Sequence, residues 1–291
     1  MHQVFFLSTW RWFSCGTLCL TLLFFFTENR LRAEKKGAEN RMSKVDVSED
    51  LYSLKGEDPS FASLIKDKAL PVGFNSKKGV TGSKIDVNNE LVEAGLDGQG
   101  KVPKNIKIHT LGNSFILRQD FKKWTRWYQE DGNTQVFRLF EGEHNVRNGR
   151  KNAARIEAFS ALKWTKGGDW HEWEGTYTII KAHECAIFQS KNNKNDWGVM
   201  INLTDEGDVI LNHRRGQEDV VIAKGVTRKP FTLKVRDNGH DYEVFMNNKN
   251  VGKGSYDRPE GQTAFRWGMY VGGKTLVKHE ALLFVSGVVF K

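Results

Sequence analysis

The sequence is poor in cysteine, in proline and in long apolar runs. Its 291 residues include only 3 Cys and 5 Pro. Cys15 and Cys19 lie in an apolar N-terminal segment, so removal of that segment would leave Cys185 alone and no intramolecular disulfide framework. We expect Cys185 to be buried and inert. Hydrophobic residues form 39% of the chain and the mean hydropathy is −0.53, which excludes a polytopic membrane protein.

Several well-marked motifs are also absent. The sequence contains no GxxxxGK[ST], HExxH or paired CxxC motif, which excludes P-loop, zincin and zinc-ribbon sites. We therefore predict no catalytic metal and no required cofactor. A structural Ca²⁺ near residues 205–208 is left open, since Asp205 and Asp208 are close in sequence, although their spacing matches no recognised calcium loop.

An apolar segment near the N-terminus indicates where in or outside the cell the protein is located. Residues 13–26 (FSCGTLCLTLLFFF) follow Arg11 and precede the polar run TENRLRAEKK. The segment is shorter than the roughly 20 residues that a membrane span needs, and it suits a signal-peptide core with Ala33 at the cleavage position. We predict that residues 1–33 are a signal peptide or, if uncleaved, a membrane anchor, and that the protein is secreted or periplasmic.

Positive charge is in excess. The 44 Lys and Arg residues outnumber the 35 Asp and Glu residues, which gives a formal charge of +9. Such a charge suggests a polyanionic partner, which can be nucleic acid, an anionic lipid surface or an acidic polysaccharide. The predicted export signal keeps the chain away from nucleic acid, so we predict no nucleic-acid partner and contact with a membrane only if the N-terminal segment is uncleaved.

The chain divides near residue 104. Residues 34–104 are polar, rich in Gly and Lys and free of Trp, which is typical of a linker or loosely ordered arm. Residues 105–291 contain short β-type runs separated by Gly, Asn and Asp, with no long helical period, and they predict an all-β, antiparallel two-sheet sandwich or barrel. The runs are 135–140, 154–159, 174–180, 186–189, 197–203, 208–212, 231–236, 242–246, 264–270 and 281–290. An Asn-Gly turn at 237–241 predicts a hairpin between two of them, and a further short strand follows the turn at 247–250.

A pair of carboxylates is a candidate for glycoside hydrolysis. Glu172 and Glu174 are two residues apart and can share one face of a strand, as the two acids of a sandwich glycosidase often do. They lie close to Gly167 and Gly168, where the pattern indicates a turn that enters an edge strand. We therefore favour a solvated polar face for this pair.

A second set of polar residues is spread over three predicted strands. Each member alone has an ordinary explanation, such as a surface ion pair, a solvated amide or a Tyr that caps the core. By the two-residue period of a strand, each group below shares one face. The groups are Arg155, Glu157 and Phe159; Ile187, Gln189 and Lys191; and Arg266 and Tyr270.

In this order the three strands resemble the concanavalin-like jelly-roll polysaccharide lyases, which include alginate, glucuronan and heparin lyases. Those enzymes carry an Arg-x-Glu strand, a Gln strand and a late strand that ends in Gly-x-Tyr, here 155–157, Gln189 and 268–270. The stretch 173–178 (WEGTYT) is similar to the strand that precedes the Gln strand. The run 140–144 (FEGEH) leading to Arg155 is most similar to the glucuronan lyases of polysaccharide lyase family 20. The resemblance spans about residues 135–290.

The resemblance implies a β-jelly roll and a β-elimination reaction on an acidic polysaccharide. In that chemistry a base removes the C5 proton of a uronate, an acid protonates the departing O4, and polar groups stabilise the charge that builds on the carboxylate. The implied catalytic residues are Tyr270 for proton transfer, Gln189 and Arg155 for the charge, and His144 as a candidate base or carboxylate neutraliser. The implied substrate-binding residues are Glu157, which orients Arg155, with Lys191, Arg266 and Lys274.

One departure concerns the substrate. Alginate lyases of this kind usually have His two places after the Gln, where this sequence has Lys191. The resemblance therefore favours a glucuronan-like polymer over alginate as the substrate. Separately, we expect the enzyme to be a monomer. The alternative is a non-catalytic, lectin-like carbohydrate-binding protein on the same sandwich, with Trp residues as sugar platforms, since one fold hosts both functions.

Overall fold

The fold is seen in a computed structural model, which describes residues 81–82, 84–85, 87, 100–110, 115–143, 145–147, 150–213, 218–272 and 277–291. The predicted signal segment, most of the predicted arm, His144 and Lys274 lie outside the described residues. In the described part of the chain, no helix combines the length and the apolar character that a membrane crossing requires.

The described chain is built almost entirely of strands. A short 3₁₀ helix, Arg118–Lys123, lies between the second and third of them. The strands are β1 Ile106–His109, β2 Phe115–Ile116, β3 Tyr128–Asp131, β4 Thr134–Leu139, β5 Asn145–Arg147, β6 Arg150–Asn152, β7 Arg155–Ser160, β8 His171–Lys181, β9 Cys185–Asn192, β10 Trp197–Leu203, β11 Val209–His213, β12 Val220–Ala223, β13 Phe231–Asp237, β14 Asp241–Met246, β15 Lys249–Ser255, β16 Thr263–Tyr270 and β17 Ala281–Phe290.

Two antiparallel sheets contain nearly all of these strands. One sheet has the order β12-β11-β10-β9-β16-β7-β1-β2, the other has the order β15-β14-β13-β8-β17-β4-β3, and β5 and β6 pair separately. The prediction of an all-β, two-sheet antiparallel sandwich is confirmed. The predicted hairpin is β13–β14 and the predicted strand after it is β15. The strands that the sequence pattern missed, β1, β2, β3, β5, β6 and β12, are all four residues or shorter.

The core lies between the two sheets and is rich in aromatic side chains. Strand β13 shows why the strands form, because its buried residues alternate with partly exposed ones along FTLKVRD. Trp173 of β8 packs against Phe188 of β9 and Trp267 of β16, with ring centroids 4.9 and 5.7 Å apart. These contacts join the two sheets, and Trp267 is a core residue as its alternation indicated.

Parts of the segment predicted as an arm pack on this sandwich. Val87 is buried in a small cluster with side chains of β4, β8 and β17, and Val102 belongs to the main core. The backbone N–H groups of Gly82 and Ile85 donate to side chains of the β3 region, at 3.2 and 3.0 Å. Apolar residues in a polar, Gly-rich stretch give no periodic signal, so the sequence pattern did not distinguish them from the rest of the arm.

A glycine fixes the shape of β16, the strand that ends in Tyr270. Gly268 has φ +116°, a conformation that side chains with a Cβ rarely adopt. A Cβ at this position would lie 2.6 Å from the Ile156 carbonyl oxygen and 2.7 Å from the Phe137 ring. The backbone of β16 therefore approaches β7 and the core more closely than another residue would allow.

We predict that Gly268→Ala destabilises the protein by about 2–4 kcal/mol, since it adds backbone strain to a steric clash. Gly167→Ala is the matched control, because Gly167 also has a positive φ but has no atom within 4 Å of an added Cβ; it should cost only about 1–2 kcal/mol. Thermal melts of both variants test this. Equal losses in melting temperature would show that the close approach at Gly268 is unimportant.

Candidate active site

The outer face of the eight-stranded sheet carries a set of polar residues aligned across neighbouring strands. Residues paired across antiparallel strands point to the same side of a sheet, so the registers define rows on this face. The first row is Lys107, Phe159, Arg266 and Gln189; the second is Phe115, His109, Glu157 and Gly268; the third is Arg155, Tyr270, Ala186 and Asn202. The alternate residues of the same strands, such as Ile156 and Phe188, face the core.

Glu157 occupies the middle of this face. Its side chain is buried, and its Oε1 accepts a hydrogen bond of 2.9 Å from Gln189 Nε2. Its Oε2 lies 3.9 Å from Arg155 Nη1. Burial raises the pKa of the Glu157 carboxyl above its ordinary value, while the positive charges of Arg155, Arg266 and Lys191 oppose that rise. The Glu157 carboxylate therefore lies at the centre of a group formed by one amide and three cations.

Tyr270 lies beside this cluster, at the end of β16. Its backbone pairs with Arg155, and the Arg155 guanidinium carbon lies 4.6 Å from the centre of the Tyr270 ring. The ring is partly exposed and borders a cavity of about 300 Å³ that extends over β9 and β10. That volume is at the lower end of the range for small-ligand sites. The lining residues include Ala186, Met200 and Asn202.

Two further cations complete the cluster. Arg266 lies between β7 and β9, with its guanidinium carbon 4.6 Å from the centre of the Phe159 ring and its Nη2 donating to the Asn192 carbonyl oxygen at 3.3 Å. Lys191, on the face of Gln189, is only 9% exposed. Positive charge at this depth requires a nearby anion, and the Glu157 carboxylate is one such anion.

Several polar atoms of the cluster have no hydrogen-bond partner in the described structure. They are Arg155 Nε, Glu157 Oε2, Gln189 Oε1 and Arg266 Nε, and each is buried. Buried polar groups in folded proteins are nearly always hydrogen-bonded. Four such atoms within one cluster therefore indicate a place where a polar ligand binds.

The structure brings together six of the eight residues singled out from the sequence: Arg155, Glu157, Gln189, Lys191, Arg266 and Tyr270. His144 and Lys274 lie outside the described residues. The functional role of each of the eight stays a prediction. Ile187 was predicted to share the face of Gln189, and that was wrong. Strand β9 carries one extra residue relative to β10 between Phe188 and Ala186, and this bulge turns Ile187 into the core.

Sequence reasoning missed three residues on the same face: Lys107, His109 and Phe115. His109 is buried and pairs with Glu157 across β1 and β7. The alternation Ile106-Lys107-Ile108-His109 was available as a signal. A four-residue strand is too short to stand out from its surroundings, however, and nothing in it indicates that it pairs with β7.

The acidic pair considered for hydrolysis lies on the other sheet. Glu172 and Glu174 belong to β8, which pairs with β13 and β17 in the interior of the sheet. The sequence pattern had indicated an edge strand, and that was wrong. Lys234 Nζ lies 3.0 Å from Glu172 Oε2 and 4.0 Å from Glu174 Oε2. The two carboxylates form part of a charged, ion-paired surface.

The residues considered for calcium have other contacts. Asp205 accepts hydrogen bonds from the Glu184 N–H at 2.7 Å and from Lys278 Nζ at 3.2 Å, and Asp208 accepts one from the Gly225 N–H at 2.9 Å. A group of His183, Asp205 and His279 is close enough to hold a metal. Both ring nitrogens of His183 are engaged, with the Glu184 carbonyl oxygen and the Lys278 N–H, each at 2.9 Å. A calcium site here stays a prediction.

Cys185 is buried at the start of β9, as expected. Burial raises the pKa of its thiol well above the ordinary value, which keeps it in the unreactive protonated form. Cys185 lines the cavity beside Tyr270. Because its thiol stays protonated, it lacks the thiolate that a nucleophilic reaction needs.

We predict a pH signature for Glu157. Because its pKa is raised in the folded state, the stability that it contributes is full below the unfolded value of about 4.3 and is lost as pH rises through the folded value. Glu157→Gln cannot titrate. The melting temperature of the wild type minus that of the variant should therefore shrink as the pH rises above about 4. Glu206→Gln, at an exposed turn, sets the baseline, and a difference that grows with pH would contradict the prediction.

No protein-family model matches the sequence, and no curated protein matches it in sequence. Solved structures do match. The alginate lyase AlgAT5 of polysaccharide lyase family 7 is 17% identical with TM-score 0.51, and the alginate lyase from Corynebacterium sp. is 12% identical with TM-score 0.54; each match covers 65% of this chain and 94% of the other.

A third similar structure is a family 7 alginate lyase in complex with a substrate, with one His replaced by Asn and one Tyr by Phe. It is 12% identical with TM-score 0.50, and the match covers 65% of this chain and 92% of the other. These likenesses show that the chain has the fold of the jelly-roll polysaccharide lyases. The resemblance of its sequence motifs to family 20 stays a prediction, since these structures are of family 7 enzymes.

Proposed function

We propose that the protein is a polysaccharide lyase that cleaves a uronate-containing polysaccharide by β-elimination. The observation that carries this proposal is the cluster of buried, unsatisfied polar atoms on Arg155, Glu157, Gln189 and Arg266, beside a partly exposed Tyr270. The shared fold of the alginate lyases supports it. We expect this protein, like the alginate lyases, to act on an acidic polysaccharide.

Neutralising the uronate carboxylate is the first requirement of the reaction. The C5 proton becomes acidic only when the adjacent carboxylate charge is stabilised, because its removal places a second negative charge on the same group. Arg155 supplies a fixed positive charge. Gln189 has one amide hydrogen engaged with Glu157, which leaves the other N–H to donate to the substrate.

Glu157 acts as a positioning residue. Its Oε1 fixes the rotation of the Gln189 amide, and its charge keeps Arg155 and Arg266 on this face of the sheet. Without that carboxylate, the amide and guanidinium groups would lose the partner that orders them before substrate arrives. This is the preorganisation on which electrostatic stabilisation depends.

Tyr270 is the group best placed for proton transfer. Its side chain is partly exposed and lines the cavity over β9 and β10. In the proposed reaction a proton leaves C5, the C4=C5 double bond forms, the C4–O4 bond breaks and O4 receives a proton. Tyr270 serves in one or both proton transfers, and the adjacent cavity takes a sugar residue next to the cleaved bond.

The substrate is proposed to be a glucuronan-like polymer. Lys191 stands where alginate lyases of this fold usually have His, and it adds a positive charge to the carboxylate-binding cluster. The predicted signal segment would deliver the enzyme to the outside of the cell or to the periplasm, where such polymers occur. Trp-mediated lectin binding has less support, because the described Trp residues are mostly buried: Trp124, Trp127, Trp164, Trp173 and Trp267.

We predict that Tyr270→Phe lowers kcat by about 10²–10⁴-fold, because it removes a proton-transfer group and retains the ring. Gln189→Ala should cost roughly 10²–10³-fold through the loss of an anion-stabilising donor. The measurement is kcat on the best polyuronate together with the melting temperature. Tyr177→Phe is the control, since its buried hydroxyl donates to the Ile187 carbonyl oxygen in the core. Full turnover by a well-folded Tyr270→Phe would move proton transfer to another group, such as His144 or Lys191.

The substrate proposal has its own test. We expect the ultraviolet absorbance of the unsaturated product to rise with polyglucuronate and much less with alginate. Lys191→His, which restores the residue of the alginate enzymes, should shift the ratio of the two rates toward alginate. Activity of the wild type on alginate alone, with none on polyglucuronate or other glucuronate-containing polymers, would refute the substrate proposal while leaving the lyase reaction intact.

A further inference from the structure

An aromatic cluster lies at the edge of the outer face, on the β1–β2 side of the candidate site. Phe115 is 48% exposed, although it is a large apolar side chain. Its ring stacks on His109, with centroids 4.6 Å apart, and meets the Phe159 ring edge-on at 5.1 Å. These contacts hold the Phe115 ring in a defined orientation.

Positive charge surrounds this aromatic cluster. Lys107 Nζ lies over the Phe115 ring, 3.8 Å from its centre, and Arg266 lies over the Phe159 ring. Burial and the charges of Lys163 and Arg266 lower the pKa of the Lys107 ammonium. Among the residues that the structure describes, no carboxylate lies within ion-pair distance of Lys107. An anion bound here would relieve the repulsion among the three cations.

The cluster is continuous with the candidate active site. Lys107, Phe159, Arg266 and Gln189 form one row across β1, β7, β16 and β9. Neighbouring strands are about 4.8 Å apart, so Lys107 is roughly 14 Å from Gln189 along the sheet. The cavity beside Tyr270 extends in the opposite direction, over β9 and β10. A polymer that crosses the strands would therefore meet the cavity, the catalytic cluster and the aromatic cluster in turn.

We propose that Lys107 and Phe115 form an edge subsite, in which Lys107 pairs with the carboxylate of a uronate residue beyond the cleaved bond and Phe115 packs against the apolar face of that sugar. This inference rests on the proposed function. In the free protein Lys107 rests on the Phe115 ring, and an exposed cation–π contact is weak enough to be exchanged for a carboxylate. Uronate chains carry a carboxylate on every acidic sugar, so a ligand that reaches Gln189 and Arg155 brings a second anion to Lys107.

The edge subsite predicts that binding depends on the length of the oligosaccharide, which a merely structural role of Lys107 and Phe115 would not produce. An oligosaccharide long enough to reach from Tyr270 to Phe115 gains the edge-subsite contacts, and a shorter one does not. Loss of these contacts should therefore raise KM for long chains and leave the shortest cleavable oligosaccharides unaffected. Loss of Lys107 should also reduce the salt dependence of binding, because one screened ion pair is removed.

The test uses the full chain carrying Tyr270→Phe, so that polyglucuronate is bound without turnover. We expect Lys107→Ala and Phe115→Ala each to weaken binding of the polymer by about threefold to tenfold, and to leave binding of the shortest oligosaccharides unchanged. Lys107→Arg should retain most of the affinity. The controls are Lys253→Ala, an exposed lysine of the other sheet, and Leu117→Ala, an exposed apolar residue close to Phe115.

The outcomes separate this inference from the proposed function. If the chain binds polyglucuronate and the two variants bind long chains as tightly as the controls do, the edge subsite is wrong and the lyase proposal stands. If the variants weaken binding of long and short chains equally, their effect is structural and the edge subsite is again wrong. If the unsubstituted chain binds no polyuronate, the proposed function fails and the edge subsite fails with it.

Discussion

The carboxylate of Glu157 is buried on the outer face of a sheet, and the candidate site is arranged around it. A lone carboxylate at that depth is costly, and its raised pKa reflects the cost. The positive charges of Arg155, Arg266 and Lys191 offset that cost. Gln189 is oriented by the same group. The buried charge of Glu157 therefore orders the polar side chains around it, which are hydrogen-bond donors on the outer face of the sheet.

The sandwich supplies what this arrangement needs. Side chains that point inward from β7, β9 and β16 pack against β8 of the opposite sheet, with Trp173 between Phe188 and Trp267. The outward side chains of the same strands are therefore held by a rigid core. Gly268 lets β16 approach β7, and the bulge at Ile187 sets how β9 meets its neighbours. Together they place Tyr270 beside Arg155 at one side of the cluster and leave the cavity next to it.

Much of this followed from the sequence, and the remainder has a physical reason. Strict alternation placed Arg155 with Glu157 and Gln189 with Lys191, and both pairs share a face as predicted. Alternation contains no information on which strands are neighbours, so the grouping of residues from β7, β9 and β16 into one site came from the resemblance to the lyases. His109 was missed because its contact with Glu157 depends on the register between two strands 48 residues apart in the chain. Glu172 was assigned to an edge because pairing of β8 with β17, at the far end of the chain, leaves no local signal.

The clustered polar groups are proposed to catalyse elimination and not hydrolysis or simple binding. The most direct test is to incubate the wild-type protein with polyglucuronate in water enriched in heavy oxygen and to weigh the products by mass spectrometry. Elimination breaks the C4–O4 bond without adding water, so we expect unsaturated fragments that carry no heavy oxygen. Fragments that incorporate heavy oxygen would identify a hydrolase, and an intact polymer that still binds the protein would identify a lectin; either result would contradict catalysis by elimination.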